Sequence, residues 1–181
     1  NVYGNSALEV LDETAATLPA NDYAVSKLAM EYLAKTYMAR LGIVITRPFN
    51  YTGVGQEPRY LIPKIVDHFK EQAPHIELGN TDVARDFSDV RDIAKAYRLL
   101  AEIQPNGEIF NLCSGEATAL ETCIGIASEI TGHDIEVKVN PDFVRENEVT
   151  ILRGSREKLD GVIGRGRRYK FRETLEWMLQ N

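Results

Sequence analysis

The stretch "NDYAVSKLAMEYLAKTYMARLGIVITRPFN", residues 21–50, joins a helical pattern directly to a strand pattern. Apolar or small side chains recur at near-helical spacing, at Ala24, Leu28, Tyr32 and Met38. This spacing predicts a helix over residues 22–40, with Gly42 as its C-terminal cap. "IVITRPF", residues 43–49, follows as a short, β-branched and nearly continuous apolar run, which is typical of a buried parallel strand. A helix that leads straight into such a strand indicates an α/β fold.

The rest of the chain repeats this alternation. Further helices are predicted at 62–72, from about 90, at 119–130, 156–162 and 171–179, and strands at 76–78, within 108–115 and at 135–139. Such an order predicts a parallel sheet. A dinucleotide-binding half should open with a strand, G-x-G-x-x-G and a helix. The G-x-G occurrences here, at Gly53 and Gly164, lack the third glycine, so either no nucleotide cofactor binds or the front of the protein lies outside this chain.

Composition excludes several classes of protein. The 181 residues are 44% apolar and carry a net charge of −6, which suits one domain or a domain and a half and gives no general attraction to nucleic acid or to an anionic membrane. A run of 18 apolar residues is absent from the sequence, and we expect a cytoplasmic protein. The start lacks both a signal-peptide pattern and a methionine, so we expect a fragment.

The cysteines and histidines predict no metal centre. Cys113 and Cys123 lie in apolar strand-like and helical runs, which favours buried free thiols over a disulfide. His68, His75 and His133 are scattered without ligand spacing, so surface histidines are expected.

Tyr23 and Lys27 are the candidate catalytic pair. At positions i and i+4 they share one helix face, and an ammonium beside a phenol favours the phenolate. Such a pair can exchange a proton with a substrate hydroxyl or carbonyl. The same spacing is common by chance in helices. The pair alone therefore does not distinguish a catalytic couple from two ordinary neighbours on a helix.

Motifs on both sides of this pair decide the matter. "VYG" (2–4) precedes it, "RPFNYTGVGQ" (47–56) follows it, and "LGNTDVARDFSDVRDIAKAY" (78–97) and "IFNLCSG" (109–115) come later in the same order. Through them the chain resembles the extended short-chain dehydrogenase/reductase family, the sugar-nucleotide epimerases, dehydratases and reductases. Within it, "RDFSDVRD", "NLCSG" and "LRGSREKL" resemble the GDP-4-keto-6-deoxy-mannose reductases most closely.

The resemblance implies a role for each matching residue. Tyr23 would be the acid/base, Lys27 would bind the nicotinamide ribose and tune Tyr23, and Pro48 would lie against the nicotinamide of NADP or NAD. Three residues would reach the diphosphate of a nucleotide-sugar substrate: Asn50, Arg85 and Arg145. Guanidinium groups in loops suit phosphate oxygens. The alternatives are a surface salt bridge for either arginine and a turn role for Asn50.

The resemblance also implies how the chain is organised. Residues 1–50 and 89–115 would form the back half of a Rossmann-type dinucleotide-binding domain, and residues 51–88 and 116–181 a small α/β substrate-binding domain. The glycine-rich N-terminal half would be absent, so we expect this chain alone to hold the cofactor poorly and to be inactive. The helix that carries Tyr23 would support a homodimer, and the apolar Tyr32, Tyr37 and Met38 fit either that interface or an intramolecular core.

One position separates the reactions within the family. The 4,6-dehydratases carry a glutamate two residues before the tyrosine of "VYG", where this chain has Asn1. An amide cannot act as that base. Dehydration is therefore disfavoured, which leaves 4-keto reduction or epimerisation. Between these, the resemblance to the reductases implies NAD(P)-dependent reduction of the C4 keto group of a nucleotide-linked 4-keto-6-deoxy sugar. Epimerisation, dehydration and a non-catalytic sugar-nucleotide-binding module remain as alternatives.

Two charged clusters are explained more simply by a structural role than by a binding site. "GRGRRYKFR", residues 164–172, is expected to be a solvated loop rather than a nucleic-acid patch, because the rest of the chain is acidic. Asp86, Asp89 and Asp92 are expected to act in capping and helix-end electrostatics rather than in binding a cation.

Overall fold

A computed structural model of the protein describes residues 2–144 and 149–181. Within these ranges the helices are α1 (Asp22–Lys35), α2 (Leu61–Lys70), α3 (Val90–Ile103), α4 (Leu120–Thr131), α5 (Glu157–Ile163) and α6 (Phe171–Gln180), with a 3₁₀ turn at Pro141–Phe143. The strands are β1 (Ile45–Pro48), β2 (Asn50–Thr52), β3 (His75–Leu78), β4 (Ala84–Asp89), β5 (Ile109–Leu112), β6 (Ala117–Ala119), β7 (Glu136–Val139) and β8 (Ile151–Leu152). Asn1 and Arg145, both singled out from the sequence, lie outside the described residues.

Parallel pairing dominates the strands, as the alternation predicts. β1 pairs with β5 from Ile45 opposite Ile109 to Pro48 opposite Leu112. β2 pairs with β4, β3 with β7 and β4 with β8, all parallel, while β6 is antiparallel to β4. β4 is therefore the centre of a four-stranded sheet. The α/β fold class predicted from the sequence is confirmed.

Three apolar clusters lie among the described residues. The largest lies among α2, β3, α4 and α6 and includes Ile65, Phe69, Ile76, Cys123 and Leu175. The second lies among α3, β5 and α5 and includes Leu100, Phe110 and Leu159. The third, around Val2, Tyr3 and Leu11, packs against Leu28, Phe49 and Leu152. α2, α3, α4 and α6 each contribute one buried stripe at helical spacing, which is how an amphipathic helix packs on a sheet.

The polar strand β4 was missed by the periodicity analysis. Its sequence, "ARDFSD", contains three charged residues and no regular alternation, yet its last four residues are buried. Buried carboxylates here are satisfied by donors from distant segments, a condition that local sequence does not reveal. β2, β6 and β8 are two or three residues long and were missed for the same lack of pattern.

Helix α1 is shorter than predicted and little buried. It ends at Lys35 with Thr36 as its C-cap, so the predicted extension to residue 40 and the Gly42 cap are wrong. The backbone N–H and the hydroxyl of Thr36 both donate to the carbonyl of Leu33, which tightens and stops the last turn. Ala24 and Glu31 are its buried residues. Five large apolar side chains of α1 are exposed: Tyr23, Val25, Met30, Tyr32 and Leu33. None of the helices described is long and apolar enough to cross a membrane.

The start of α3 is fixed by Asp89, as the capping prediction proposes. Its side chain accepts hydrogen bonds from the backbone N–H of Arg91 (2.8 Å), from the Arg91 guanidinium (2.9 and 2.7 Å) and from the hydroxyl of Thr174 on α6 (2.8 Å). Burial by itself would raise the pKa of Asp89, but these hydrogen bonds outweigh it and hold the pKa below its ordinary value.

Replacing Asp89 by asparagine is expected to destabilise the protein near neutral pH and to matter less in acid. The asparagine keeps one acceptor for the helix cap but loses the charged pair with Arg91, at a cost of about 2 kcal/mol. The wild-type advantage exists above the unfolded pKa of about 3.9 and is lost as the pH falls through the lower folded pKa. Urea unfolding of both proteins at about pH 6 and about pH 3 measures this. A difference that is the same at both pH values would show that the ionised carboxylate is not the stabilising form.

Candidate active site

Tyr23 lies in the first turn of α1, with its ring in contact with solvent. Asn21 caps the helix by accepting from the N–H of Ala24 at 2.9 Å, which sets where the first turn begins. Tyr23 is 58% exposed, and the Lys27 ammonium lies 5.3 Å from the centre of its ring. The phenol is thus open to a substrate, and the ammonium lies within cation–π distance of its ring.

Pro48 and Asn50 lie where one strand passes into the next. Pro48 is the last residue of β1, and the N–H of Phe49 donates to the carbonyl of Leu112 at 2.9 Å. Asn50, which is exposed, opens β2 opposite Phe87 of β4. The carboxyl end of a parallel strand is where α/β proteins place ligands.

Arg85 lies on β4, the strand that pairs with β2. It is two residues before Phe87, the register partner of Asn50, so these two predicted diphosphate contacts lie on adjacent strands. The Arg85 guanidinium donates to the carbonyls of Ala84 (2.9 Å) and Thr150 (3.3 Å). The predicted residues therefore form two groups: Tyr23 and Lys27 on α1, and Pro48, Asn50 and Arg85 on β1, β2 and β4.

A buried polar network that sequence reasoning missed joins α1 to β1. The guanidinium of Arg47 donates to both carboxylate oxygens of Glu31, at 2.9 and 2.7 Å, with side chains 7% and 4% exposed. Arg47 also donates to the Tyr3 hydroxyl at 3.0 Å, and that hydroxyl donates to Asn111 of β5 at 2.6 Å. Residues of three family motifs, "VYG", "RPFN" and "IFNLCSG", therefore meet here. An arginine inside an apolar strand is the sequence signal that could have revealed it.

The charges in this network are set by competition between burial and hydrogen bonding. Desolvation opposes the charge on Arg47, but its hydrogen bonds to Glu31 and Tyr3 raise the pKa of Arg47 above its ordinary value. Burial raises the pKa of Tyr3, although Arg47 and Asn111 act in the other direction. At neutral pH the network thus contains an ionised arginine and a neutral phenol.

Asp86 fastens the loop after β5 to the centre of the sheet. One carboxylate oxygen accepts from the N–H (2.7 Å) and hydroxyl (2.6 Å) of Ser114, and the other accepts from the N–H groups of Gly115 (3.0 Å) and Gly154 (3.2 Å). Gly154 approaches so closely that a Cβ there would lie 2.7 Å from the sulfur of Cys113. Desolvation raises the pKa of Asp86 despite these four donors. The proposed capping role is therefore wrong for Asp86, which binds loops rather than a helix end.

The remaining predicted clusters are structural. Asp92 accepts from the N–H of Tyr169 at 2.9 Å. Three cations of the 164–172 segment form ion pairs: Arg167 with Glu173, Lys170 with Glu116 and Arg172 with Glu129. Among the described residues, there is no group of three or more His, Cys, Asp or Glu side chains that could hold a metal ion.

Both cysteines are buried free thiols, which confirms the prediction. Burial raises the pKa of Cys123 to about 12 and that of Cys113 still further. Thiols that stay protonated are poor nucleophiles, so neither cysteine is a candidate for the chemistry.

The side chains present fit one end of a dinucleotide. An exposed Tyr23 with Lys27 beside it can reach a ribose and a nicotinamide, and Pro48 offers an apolar surface at a strand end. A pyrophosphate needs backbone N–H groups at a glycine-rich strand–helix turn. The described residues contain no such turn, so they could hold the nicotinamide end only.

Known proteins match this chain over nearly its whole length. Residues 1–178 match the family described as GDP-mannose 4,6 dehydratase. A GDP-6-deoxy-D-talose 4-dehydrogenase from Aggregatibacter actinomycetemcomitans is 36% identical over 182 residues, which covers 99% of this chain and 62% of that protein.

Two solved structures have the same fold. A candidate epimerase from Burkholderia cenocepacia J2315 superposes with a TM-score of 0.96 and 56% identity, covering 99% of this chain and 59% of the other. RMD from Pseudomonas aeruginosa, complexed with NADPH, gives a TM-score of 0.90 and 31% identity, covering 99% and 62%. The chain therefore spans about three fifths of the length of the proteins it matches.

Proposed function

The chain belongs to the extended short-chain dehydrogenase/reductase family, in the group described as GDP-mannose 4,6 dehydratase, and on that premise we propose that it carries the acid/base half of an NAD(P)-dependent sugar-nucleotide reductase. The reaction would be reduction of the C4 keto group of a nucleotide-linked 4-keto-6-deoxy sugar, of the GDP-4-keto-6-deoxy-mannose type. The observation that carries the proposal is the solvent-accessible Tyr23 with the Lys27 ammonium beside it.

The chain's own residues would supply the proton and orient the sugar. A reduced nicotinamide, when bound, supplies the hydride to C4. The Tyr23 hydroxyl donates the proton to the C4 oxygen, and the Lys27 ammonium stabilises the phenolate that remains. Asn50 and Arg85, on adjacent strands, would bind the diphosphate, which fits the charge and fork geometry of a guanidinium. The same diphosphate role is proposed for Arg145.

A relative supports the C4 oxidoreduction, and another supports the cofactor. The Aggregatibacter protein is named a GDP-6-deoxy-D-talose 4-dehydrogenase, which places oxidoreduction at C4 of a GDP-linked 6-deoxy sugar. RMD from Pseudomonas aeruginosa is complexed with NADPH. We therefore propose NADP as the first cofactor to test, with NAD as the second.

We further propose a two-part organisation and a dimer. Residues 1–50 and 89–115 would belong to the dinucleotide-binding part and residues 51–88 and 116–181 to the substrate-binding part. The separation of the core at α2, β3, α4 and α6 from the core at α3, β5 and α5 supports this division, with α5 and Leu152 packing back on the first part. Tyr32 and Tyr37, 60% and 43% exposed, do not enter a core of this chain. Together with Val25 and Leu33 they support a homodimer through α1.

The assay uses the protein expressed from its complete reading frame. With GDP-4-keto-6-deoxy-mannose we expect stoichiometric oxidation of the reduced nicotinamide, followed by its absorbance. The 181-residue chain alone is expected to show no turnover, since its described residues hold no pyrophosphate-binding turn. Oxidation with a dTDP- or UDP-linked analogue, but not with the GDP-linked sugar, would overturn the substrate assignment.

Epimerisation is the second candidate, because the Burkholderia protein with 56% identity is named as a candidate epimerase. An epimerase returns its cofactor to the starting oxidation state in each cycle. Product formation without net oxidation of nicotinamide would favour it. Sugar-nucleotide binding without any product would instead favour a non-catalytic binding module.

A further inference from the structure

Glu31 is an unusual residue in its helix. α1 leaves most of its side chains exposed, yet the Glu31 carboxylate is only 4% exposed. Carboxylates are almost never buried unless they are paired. The partner here is Arg47 of β1, whose guanidinium fork engages both oxygens of the carboxylate at 2.9 and 2.7 Å.

Glu31 also stands in line with the proposed catalytic pair. Tyr23, Lys27 and Glu31 follow one another at intervals of four residues, so they form a stripe along one side of α1. Lys27 is one helical turn from each of the other two and could reach either of them. A lysine and a glutamate four residues apart ordinarily attract each other. In this structure Lys27 instead lies 5.3 Å from the centre of the Tyr23 ring.

Arg47 is itself held firmly in place. Its third contact is with the Tyr3 hydroxyl at 3.0 Å, and its guanidinium carbon lies 4.9 Å from the centre of the Tyr3 ring. The Tyr3 hydroxyl in turn donates to Asn111, whose backbone N–H donates to Glu13 at 2.7 Å and whose side chain donates to the carbonyl of Leu11. The fork that engages Glu31 is thus oriented by β5 and by the segment before α1.

We propose that Arg47 is a positioning residue for the acid/base pair: by engaging both oxygens of Glu31 it keeps that carboxylate from drawing Lys27 away from Tyr23. This inference rests on the proposed function of Tyr23 and Lys27. The charged or titratable groups involved are Glu31 and Lys27 on α1, Arg47 on β1, and Tyr3 and Glu13 on the segment that precedes α1. A merely structural ion pair would stabilise the fold but would not decide which partner Lys27 chooses.

The kinetic test compares Arg47→Met with the double variant Glu31→Gln/Arg47→Met in the protein expressed from its complete reading frame. In the single variant, the unpaired carboxylate recruits Lys27, so we expect kcat to fall about tenfold or more through the displaced pair, with a much smaller change in KM. In the double variant no carboxylate competes for Lys27, and kcat should recover toward its wild-type value. An equal fall in kcat in both variants would overturn the proposal.

A crystal structure of each variant supplies a readout that needs no turnover. Arg47→Lys is included because it keeps the positive charge but reaches only one oxygen of the Glu31 carboxylate. It replaces Arg47→Met in the comparison if Arg47→Met does not fold. We expect the Lys27 nitrogen within about 4 Å of the Glu31 carboxylate in the single variants, and beside the Tyr23 ring in the double variant. Lys27 unmoved in the single variants would overturn the inference. An inactive wild-type enzyme would overturn the proposed function but would leave this structural comparison decisive for Arg47.

Arg156→Met is the matched control. Arg156 forms an ion pair with Asp160 at 2.7 Å, and both side chains are 12% exposed, but the pair lies at α5, away from α1. Its loss should lower stability and leave kcat within about twofold of wild type. A fall in kcat as large as that of Arg47→Met would mean that loss of any partly buried arginine suffices, which would contradict the positioning role.

Discussion

Replacing Tyr23 by phenylalanine is expected to lower kcat of the complete protein by about 10²–10⁴-fold, the usual contribution of a positioned acid/base. The substitution removes only the hydroxyl oxygen that would deliver the proton to C4. Since Tyr23 is 58% exposed, no buried hydrogen bond or core contact is lost with it. The free energy of unfolding should therefore change by less than about 0.5 kcal/mol. Steady-state kinetics and urea unfolding together measure both effects.

Tyr32→Phe is the control for this experiment. Tyr32 lies on the same helix, is 60% exposed and has a lysine, Lys35, beside its ring at 5.2 Å, so its local surroundings resemble those of Tyr23. Its replacement removes only a hydroxyl and keeps the ring that the proposed homodimer would bury, so kcat should stay within about twofold of wild type. Activity retained in Tyr23→Phe would remove Tyr23 from its role, and equal losses in both variants would point to an effect on α1 as a whole.

The α/β architecture was predictable because the signals that specify it are local. The apolar spacing of α2 and α4, the apolar run at β1 and the capping residue Asp89 each lie within one short window of sequence. Such windows fix the type of an element well and its ends less well. The C-terminus of α1 illustrates this, because the hydrogen bonds from Thr36 to Leu33 end the helix five residues before the predicted end.

The buried polar contacts were not predictable from the same windows. Glu31 and Arg47 are 16 residues apart, and Tyr3 and Asn111 are 108 apart, so neither contact has a local pattern. Family motifs contain Arg47 and Asn111 but do not say that the Tyr3 hydroxyl connects them. β4 was missed because its burial depends on partners contributed by β2, β6 and β8 rather than on its own composition. Interactions of this kind become visible only when the fold brings the segments together.

Replacing Asp86 by alanine should strongly destabilise the protein, because a single buried carboxylate accepts from four buried or half-buried donors. Four groups would lose this acceptor: two backbone N–H groups and one hydroxyl in the residue 114–115 turn, and the N–H of Gly154. A buried donor left without a partner costs about 1–3 kcal/mol, and some of this is recovered when water enters the space. We expect the free energy of unfolding to fall by about 4 kcal/mol in urea titrations.

Asp86→Asn tests whether the four hydrogen bonds to Asp86 are the reason for the expected loss of stability. An asparagine oxygen can still accept from Ser114, but its NH₂ group would face the N–H groups of Gly115 and Gly154, two donors opposed to a donor. The loss should therefore be about half of that in Asp86→Ala. Asp82→Ala, an exposed aspartate just before β4, should change stability by less than about 0.5 kcal/mol. Desolvation raises the pKa of Asp86, so burying its carboxylate has a cost. If Asp86→Asn were as stable as wild type, that cost would cancel the contribution of the four hydrogen bonds. The four donors would then not be what fastens the loop to the sheet.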